Sequence, residues 1–216
     1  MLPKAVLFDF DYTLGDSTAP IVECFQYAFG QMGLPRPEPE VITPTIGHSL
    51  EDSYTLLTGD ADPGRRALFK KTFRSHATHC MVRGTKLLPG AGALLDRLSA
   101  CGVPAGIVTT KRAITIRQIF QYQRRLDQLA VIIGADSVPN GKPAPDGLFA
   151  AMAALNVSPA DTLYCGDTVI DAEAASRAGV PFCAVLNGTT PRAAFEAWPC
   201  VCVAEDLFAL RAFLQI

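Results

Sequence analysis

Ala5-Val6-Leu7-Phe8-Asp9-Phe10-Asp11-Tyr12-Thr13-Leu14 runs four apolar residues into two carboxylates set two positions apart. A short, unbroken apolar run of this kind reads as a strand buried on both faces. Residues two apart on a strand point to the same side, so Asp9 and Asp11 leave the strand end together. Buried charge is costly unless it is paired or bound to a cation. The C-terminal end of a parallel strand is also where ligands sit in open α/β sheets. Five further apolar runs follow: Val103–Val108, Ala130–Ile133, Thr162–Cys165, Phe182–Leu186 and Val201–Val203. All but the last two are separated by enough chain for a helix. Gly90–Ala100 carries Leu94, Leu95 and Leu98 on one face, and Ile114–Tyr122 repeats apolar residues at helical spacing. Thr190 before Pro191 suits an N-cap with proline at the first helical position. The alternation predicts a doubly wound parallel α/β sheet.

One interval breaks the alternation. More than ninety residues separate Asp9 from Val103, far more than one crossover helix needs. Residues 17–33 read as a helix through Ile21, Val22, Phe25, Ala28, Phe29 and Met32, closed by Gly33 and the prolines at 35, 37 and 39. Leu50–Leu57 and Arg65–Cys80 read as two more. The sequence therefore predicts an all-helical domain over 17–88, inserted into a core of 1–16 and 89–216. The insert has eight basic against seven acidic side chains, a charge of +1, and the remainder eleven against fourteen, a charge of −3. All three histidines, His48, His76 and His79, fall in the insert. The basic run Arg65, Arg66, Lys70, Lys71, Arg74 spans several helix faces and reads as solvated surface.

Composition narrows the class. Of 216 residues, 49% are apolar and 19% charged, which excludes a disordered chain. A net charge of −2 leaves no footprint for nucleic acid or an acidic membrane surface. No apolar run approaches the roughly 18 residues that span a bilayer, and Ala5–Phe8 is too short for a signal peptide. The seven cysteines (24, 80, 101, 165, 183, 200, 202) form no CxxC pair. They read as reduced core thiols, and so as a cytoplasmic protein.

Three more segments carry chemistry. Tyr164-Cys165-Gly166-Asp167-Thr168-Val169-Ile170-Asp171 repeats the strand-end geometry: Asp167 ends a strand and Asp171 lies one helical turn on. Four carboxylates at two strand ends suit a hard divalent cation, most naturally Mg²⁺, although Asp167 and Asp171 also suit N-terminal helix capping. In Asn140-Gly141-Lys142-Pro143-Ala144-Pro145-Asp146, the prolines bias Lys142 and Ala144 away from helix and stiffen a loop. A lysine so held can neutralise an acidic cluster or a phosphate; the alternative is a solvated loop lysine. Val108-Thr109-Thr110-Lys111 ends a strand where hydroxyls and helix-opening N–H groups can hold an anion, or simply cap the helix.

In this order the four segments resemble the haloacid-dehalogenase superfamily of phosphohydrolases, over nearly the whole chain. Within it, the sequence is similar to the group with a helical cap inserted after the first strand, which includes phosphoglycolate phosphatases. The resemblance implies Asp9 as nucleophile and Asp11 as general acid/base. It implies phosphoryl contacts from Thr109, Thr110 and Lys142, and Mg²⁺ held by Asp9, the Asp11 carbonyl and Asp167, with Asp171 in support. It also implies that Thr45-Ile46-Gly47-His48-Ser49-Leu50-Glu51 is a cap loop reaching the substrate through Gly47 and His48; otherwise it is a helix start with Ser49 as N-cap. Tyr12 departs from the glycine of many relatives, at a position facing the mouth of the site, where it narrows the pocket or constrains the turn. Ile21 stands roughly where related mutases place a basic residue. The expected activity is Mg²⁺-dependent hydrolysis of a small phosphorylated metabolite, phosphoglycolate-like, through an aspartyl-phosphate, by a monomer or homodimer without nucleic-acid or membrane partners. The alternatives are a pyrophosphatase, a β-phosphoglucomutase-like phosphomutase, and a receiver-type signalling module. A receiver would carry its aspartate on a middle strand, and Val103–Thr109 has none.

Overall fold

The computed structural model describes residues 2–216. Its elements run β1 (Ala5–Phe8), β2 (Gly15–Asp16), α1 (Thr18–Gln31), α2 (Pro39–Ile42), α3 (Leu50–Thr58), α4 (Pro63–Gly84), β3 (Lys86–Leu87), α5 (Ala91–Ala100), β4 (Ala105–Val108), α6 (Ala113–Tyr122), β5 (Leu129–Ile133), α7 (Asp146–Leu155), β6 (Thr162–Gly166), α8 (Val169–Ala178), β7 (Phe182–Val185), β8 (Cys200–Ala204) and α9 (Leu207–Leu214). The chain divides into two compact units, one up to Asp16 and over Leu87–Ile216, the other over Ser17–Lys86.

In the first unit a six-stranded parallel sheet has the order β5-β4-β1-β6-β7-β8. Alternation along β1 divides the core between the two faces. Val6 and Phe8 pack with Leu94 and Leu98 of α5, Ile116 and Phe120 of α6 and Leu207 of α9. Leu7 packs on the other face with Leu148 and Ala151 of α7 and Ala172 and Ala175 of α8. This is the doubly wound α/β class that the apolar runs predict. The two outermost strands are less enclosed: β5 and β8 keep partly or fully exposed residues, because each has a neighbour on one side only.

Pro191 does not open an α-helix. Arg192–Phe195 is a short 3₁₀ turn with Pro191 itself at the cap. Without a proline N–H, and with too few residues before β8 for further turns, the segment closes as a single tight turn.

The second unit is helical. Phe25 and Phe29 on α1 and Phe69 and Phe73 on α4, each pair one turn apart, interleave with Tyr54 of α3. Ring centroids are 5.2 Å apart for Phe25–Phe69 and 5.3 Å for Tyr54–Phe69. Such pairs each add about 0.5–1.5 kcal/mol beyond the area they bury. Part of the basic run is tied to acids of the same unit: Arg66 to Asp52 at 2.7 Å, Arg65 to Asp60 at 3.0 Å, and Lys70 to Glu51. Among the described residues, no helix is long and apolar enough to cross a membrane.

Candidate active site

Adjacent strands bring the acidic motifs together. Leu7 lies opposite Tyr164 and Phe8 opposite Cys165, so Asp9 and Asp167 emerge from neighbouring strand ends, and Asp9 N donates to Cys165 O at 2.8 Å. Asp9, Asp167 and Asp171 are all buried, and one carboxylate oxygen from each lies within 4.8 Å of the others.

Lys142 reaches into this cluster from its loop, with Nζ 2.9 Å from Asp9 Oδ1 and paired also to Asp171 Oδ1. Burial opposes its charge, but the two carboxylates outweigh burial and hold its pKa above the usual lysine value. At Asp9 the balance reverses. Loss of solvent, aided by Asp171 and only partly offset by Lys142, raises its pKa to about 6. Burial and the same neighbouring acids raise Asp167 as well. Three acids against one lysine leave negative charge for a cation to balance.

Asp11 is not one of the three converging acids, although its charge reaches Asp9; its Oδ2 is 3.0 Å from Lys111 Nζ and its buried Oδ1 accepts no hydrogen bond. Its loop turns tightly: Leu14 N and Gly15 N both donate to Phe10 O, and Tyr12 N donates to Gly15 O at 2.8 Å. Tyr12 takes φ 56°, the left-handed region where a side chain costs about 1 kcal/mol. The turn that glycine would make freely is therefore made here under constraint. Thr109 is buried at the end of β4, its Oγ1 accepts from Lys111 N at 3.3 Å, and it lines one small pocket with Lys142. Thr110 follows, half-buried.

Several supporting residues escaped the sequence reading. Tyr164 Oη accepts from Lys142 at 3.1 Å and lies 2.8 Å from Asp171 Oδ1 and 3.0 Å from Val108 O. A tyrosine in a fully buried strand was itself a signal, since its hydroxyl must find partners. Thr13 Oγ1 donates to Asp167 Oδ1 at 3.2 Å. Thr168 and Asp171 form a capping box at the start of α8, with Thr168 Oγ1 2.6 Å from Asp171 Oδ2. Capping and cluster membership, posed as alternatives for Asp171, hold together: Oδ2 serves the helix and Oδ1 serves Lys142. Gly166 and Gly188 leave room for the acids. A Cβ on Gly188 would lie 2.1 Å from Asp167 Oδ2, and one on Gly166 would lie 2.5 Å from Asp171 Cβ.

Gly47 and His48 belong to the helical unit. Gly47 has φ 106°, a turn closed to other residues without strain. His48 is exposed and its N–H donates to Thr45 O at 3.2 Å. Ser49 caps α3, accepting from Asp52 N at 3.1 Å.

The model of the haloacid dehalogenase-like hydrolase family matches residues 6–185. The chain belongs to that family. Curated relatives include an N-acetylmuramic acid 6-phosphate phosphatase of Pseudomonas putida, 30% identical over 86% of this chain and 83% of the relative. A phosphoglycolate phosphatase of Cereibacter sphaeroides is 34% identical over 85% of each. A solved structure from Bacteroides fragilis, assigned to the haloacid dehalogenase-like hydrolases, superposes with a TM-score of 0.93 at 35% identity, covering 96% of this chain and 99% of that one. Family and relatives together make the protein an enzyme of the phosphatase class.

Proposed function

We propose that the protein hydrolyses a small phosphorylated metabolite, phosphoglycolate-like by preference, with Asp9 as nucleophile and Mg²⁺ as cofactor. The carrying observation is the buried cluster of Asp9, Asp167 and Asp171 around Lys142 at the ends of two central strands. Its donors are all oxygens, as a hard cation requires, and its acids outnumber its lysine. Mg²⁺ would be held by Asp9, Asp167 and the Asp11 carbonyl, with Asp171 supporting. When bound it supplies charge neutralisation, without which a carboxylate and a phosphate dianion repel.

The chain's own groups account for the rest. Lys142 and Thr109 hold phosphoryl oxygens, with Thr110 beside them. Asp9 attacks phosphorus in line and the ester oxygen departs, giving an aspartyl-phosphate. Asp11, through the oxygen that accepts no hydrogen bond, protonates the departing alkoxide. It then takes a proton from the water that cleaves the acyl-phosphate. Lys111 fixes the other oxygen of Asp11 and so its direction. Ser17–Lys86 acts as a cap that reads the leaving group, with Gly47 and His48 meeting the substrate and Tyr12 narrowing the mouth.

A panel of phosphorylated metabolites, assayed for phosphate release with and without Mg²⁺, tests the reading. Metal-dependent release from compact monoesters, phosphoglycolate foremost, is expected. Release that survives exhaustive chelation, or an isomerised product that keeps its phosphate, overturns it.

A further inference from the structure

The helical unit holds a second group of ligand-type side chains that the phosphatase reading does not use. Glu23 and Cys24 lie on α1, and His76 and Cys80 lie one turn apart on α4. Glu23 Oε1, His76 Nε2 and Cys80 Sγ are all within 4.8 Å of one another, and Nε2 is 2.7 Å from Oε1. Cys24 Sγ is 3.2 Å from Cys80 Sγ. The His76 ring is stacked on Tyr27 at 4.2 Å between centroids and 11° between planes, which fixes the plane in which Nε2 faces Glu23.

We propose that Glu23, His76, Cys80 and Cys24 form a binding site for a zinc-class divalent cation that clamps α1 to α4. Nitrogen, sulfur and carboxylate donors together suit a borderline-soft ion, whereas the all-oxygen cluster of the core suits a hard one. The protein thus carries two donor sets of opposite preference. Residues at i and i+4 share a helix face, so α4 presents His76 and Cys80 together toward the facing helix.

The sulfur separation favours a cation over a disulfide. A tetrahedral ion with metal–sulfur bonds of about 2.3 Å holds two thiolates roughly 3.8 Å apart. A disulfide needs about 2.05 Å. At the observed 3.2 Å the two thiols are hydrogen-bonded and not joined as a disulfide, and loading would part them slightly. The ion pair joins Glu23 to His76, and Cys80 Sγ beside it also donates weakly to His76 O at 3.7 Å and Pro20 O at 3.8 Å. Cys24 is buried, Cys80 and His76 are half-buried and Glu23 is exposed, so the ion would enter past the carboxylate. Both sulfurs bind as thiolates, each thiol losing its proton to solvent on loading, and affinity falls with pH accordingly.

The test is titration of the reduced, metal-free full chain with Co²⁺ and then Zn²⁺. One equivalent of Co²⁺ should give intense near-ultraviolet thiolate-to-cobalt absorption, erased by Zn²⁺, and should shield two thiols from a thiol reagent. The oxygen-only cluster of the core gives no such absorption. Glu23→Gln, His76→Gln and Cys80→Ser should each weaken Co²⁺ binding by about 10–100-fold or more, since even indirect partners of a bound metal cost that much. Circular dichroism checks that each variant is folded; Glu23→Gln alters an exposed side chain and decides the matter if Cys80→Ser does not fold. No sulfur–cobalt absorption in the parent chain overturns the site. So does a Cys24–Cys80 disulfide formed with oxidised glutathione when the reduced chain binds no cation.

Discussion

At position 9, burial and charge pull against each other, and the outcome sets how stability varies with pH. The Asp9 carboxyl is raised to about 6, and Asp167 is raised beside it. A carboxyl raised by folding binds more protons folded than unfolded, so stability falls as pH rises from the unfolded value of about 4 toward the folded one. Denaturant melts in chelator should therefore lose stability between about pH 4 and pH 6. Saturating Mg²⁺ should remove that decline, because it binds the ionised acids. Lys142 works in the opposite range: its pairing stabilises fully below its ordinary value and is lost only above it. Asp9→Asn, nearly isosteric, should keep the fold and lower phosphate release by at least about 10⁴-fold. Gly188→Ala should displace Asp167, costing about 100-fold in turnover with the circular dichroism spectrum unchanged. Asp9, Asp11, Asp167 and Lys142 were legible because each stands beside an apolar run or a proline-braced turn. Gly188 was not. Its need is set by the side chain of a residue on another segment, and no local pattern records that.

Among the elements, α8 shows how local and tertiary demands meet in one side chain. Thr168→Ala removes the hydroxyl that accepts from Asp171 N and bonds Asp171 Oδ2, and should cost about 1 kcal/mol in urea unfolding. It should also lower turnover, since Asp171 Oδ2 then keeps only the backbone N–H of position 168. The spacing Thr168–Asp171 is a capping box in the sequence, so this start was readable. Other boundaries were less so. α4 runs past Cys80 to Gly84, because its later turns carry few apolar residues and show no periodic stripe. Its true start at Pro63 has a local cause, Asp62 accepting from Arg65 N at 2.8 Å. The strands of the six-stranded sheet read almost to the residue, since a parallel sheet covered on both faces demands unbroken apolar runs, whereas the two-residue β2 and β3 carry no such run and were missed.

At the scale of the molecule, the proposed function divides labour between a unit that would carry the reactive groups and one that would choose the substrate. His48→Ala should change relative rates among small phosphoesters and spare a generic aryl phosphate, as a panel of specificity constants would show; equal loss on all would assign His48 to folding. Chelation should stop turnover and Mg²⁺ restore it, while Ca²⁺ should inhibit through its longer bonds and higher coordination number. The order β5-β4-β1-β6-β7-β8 also governs when the enzyme can assemble during its synthesis. β1 leaves the ribosome first but lies between β4 and β6, so Leu7 waits for Tyr164 to be made before that side of the strand is covered. The helical segment draws on residues close in sequence and is complete once Lys86 has emerged. Until Val108 has been made, then, the strand bearing the proposed nucleophile is an unpaired apolar segment, and a chain stalled between Val108 and Thr162 has β4 on one side of it only and is a form in need of a chaperone.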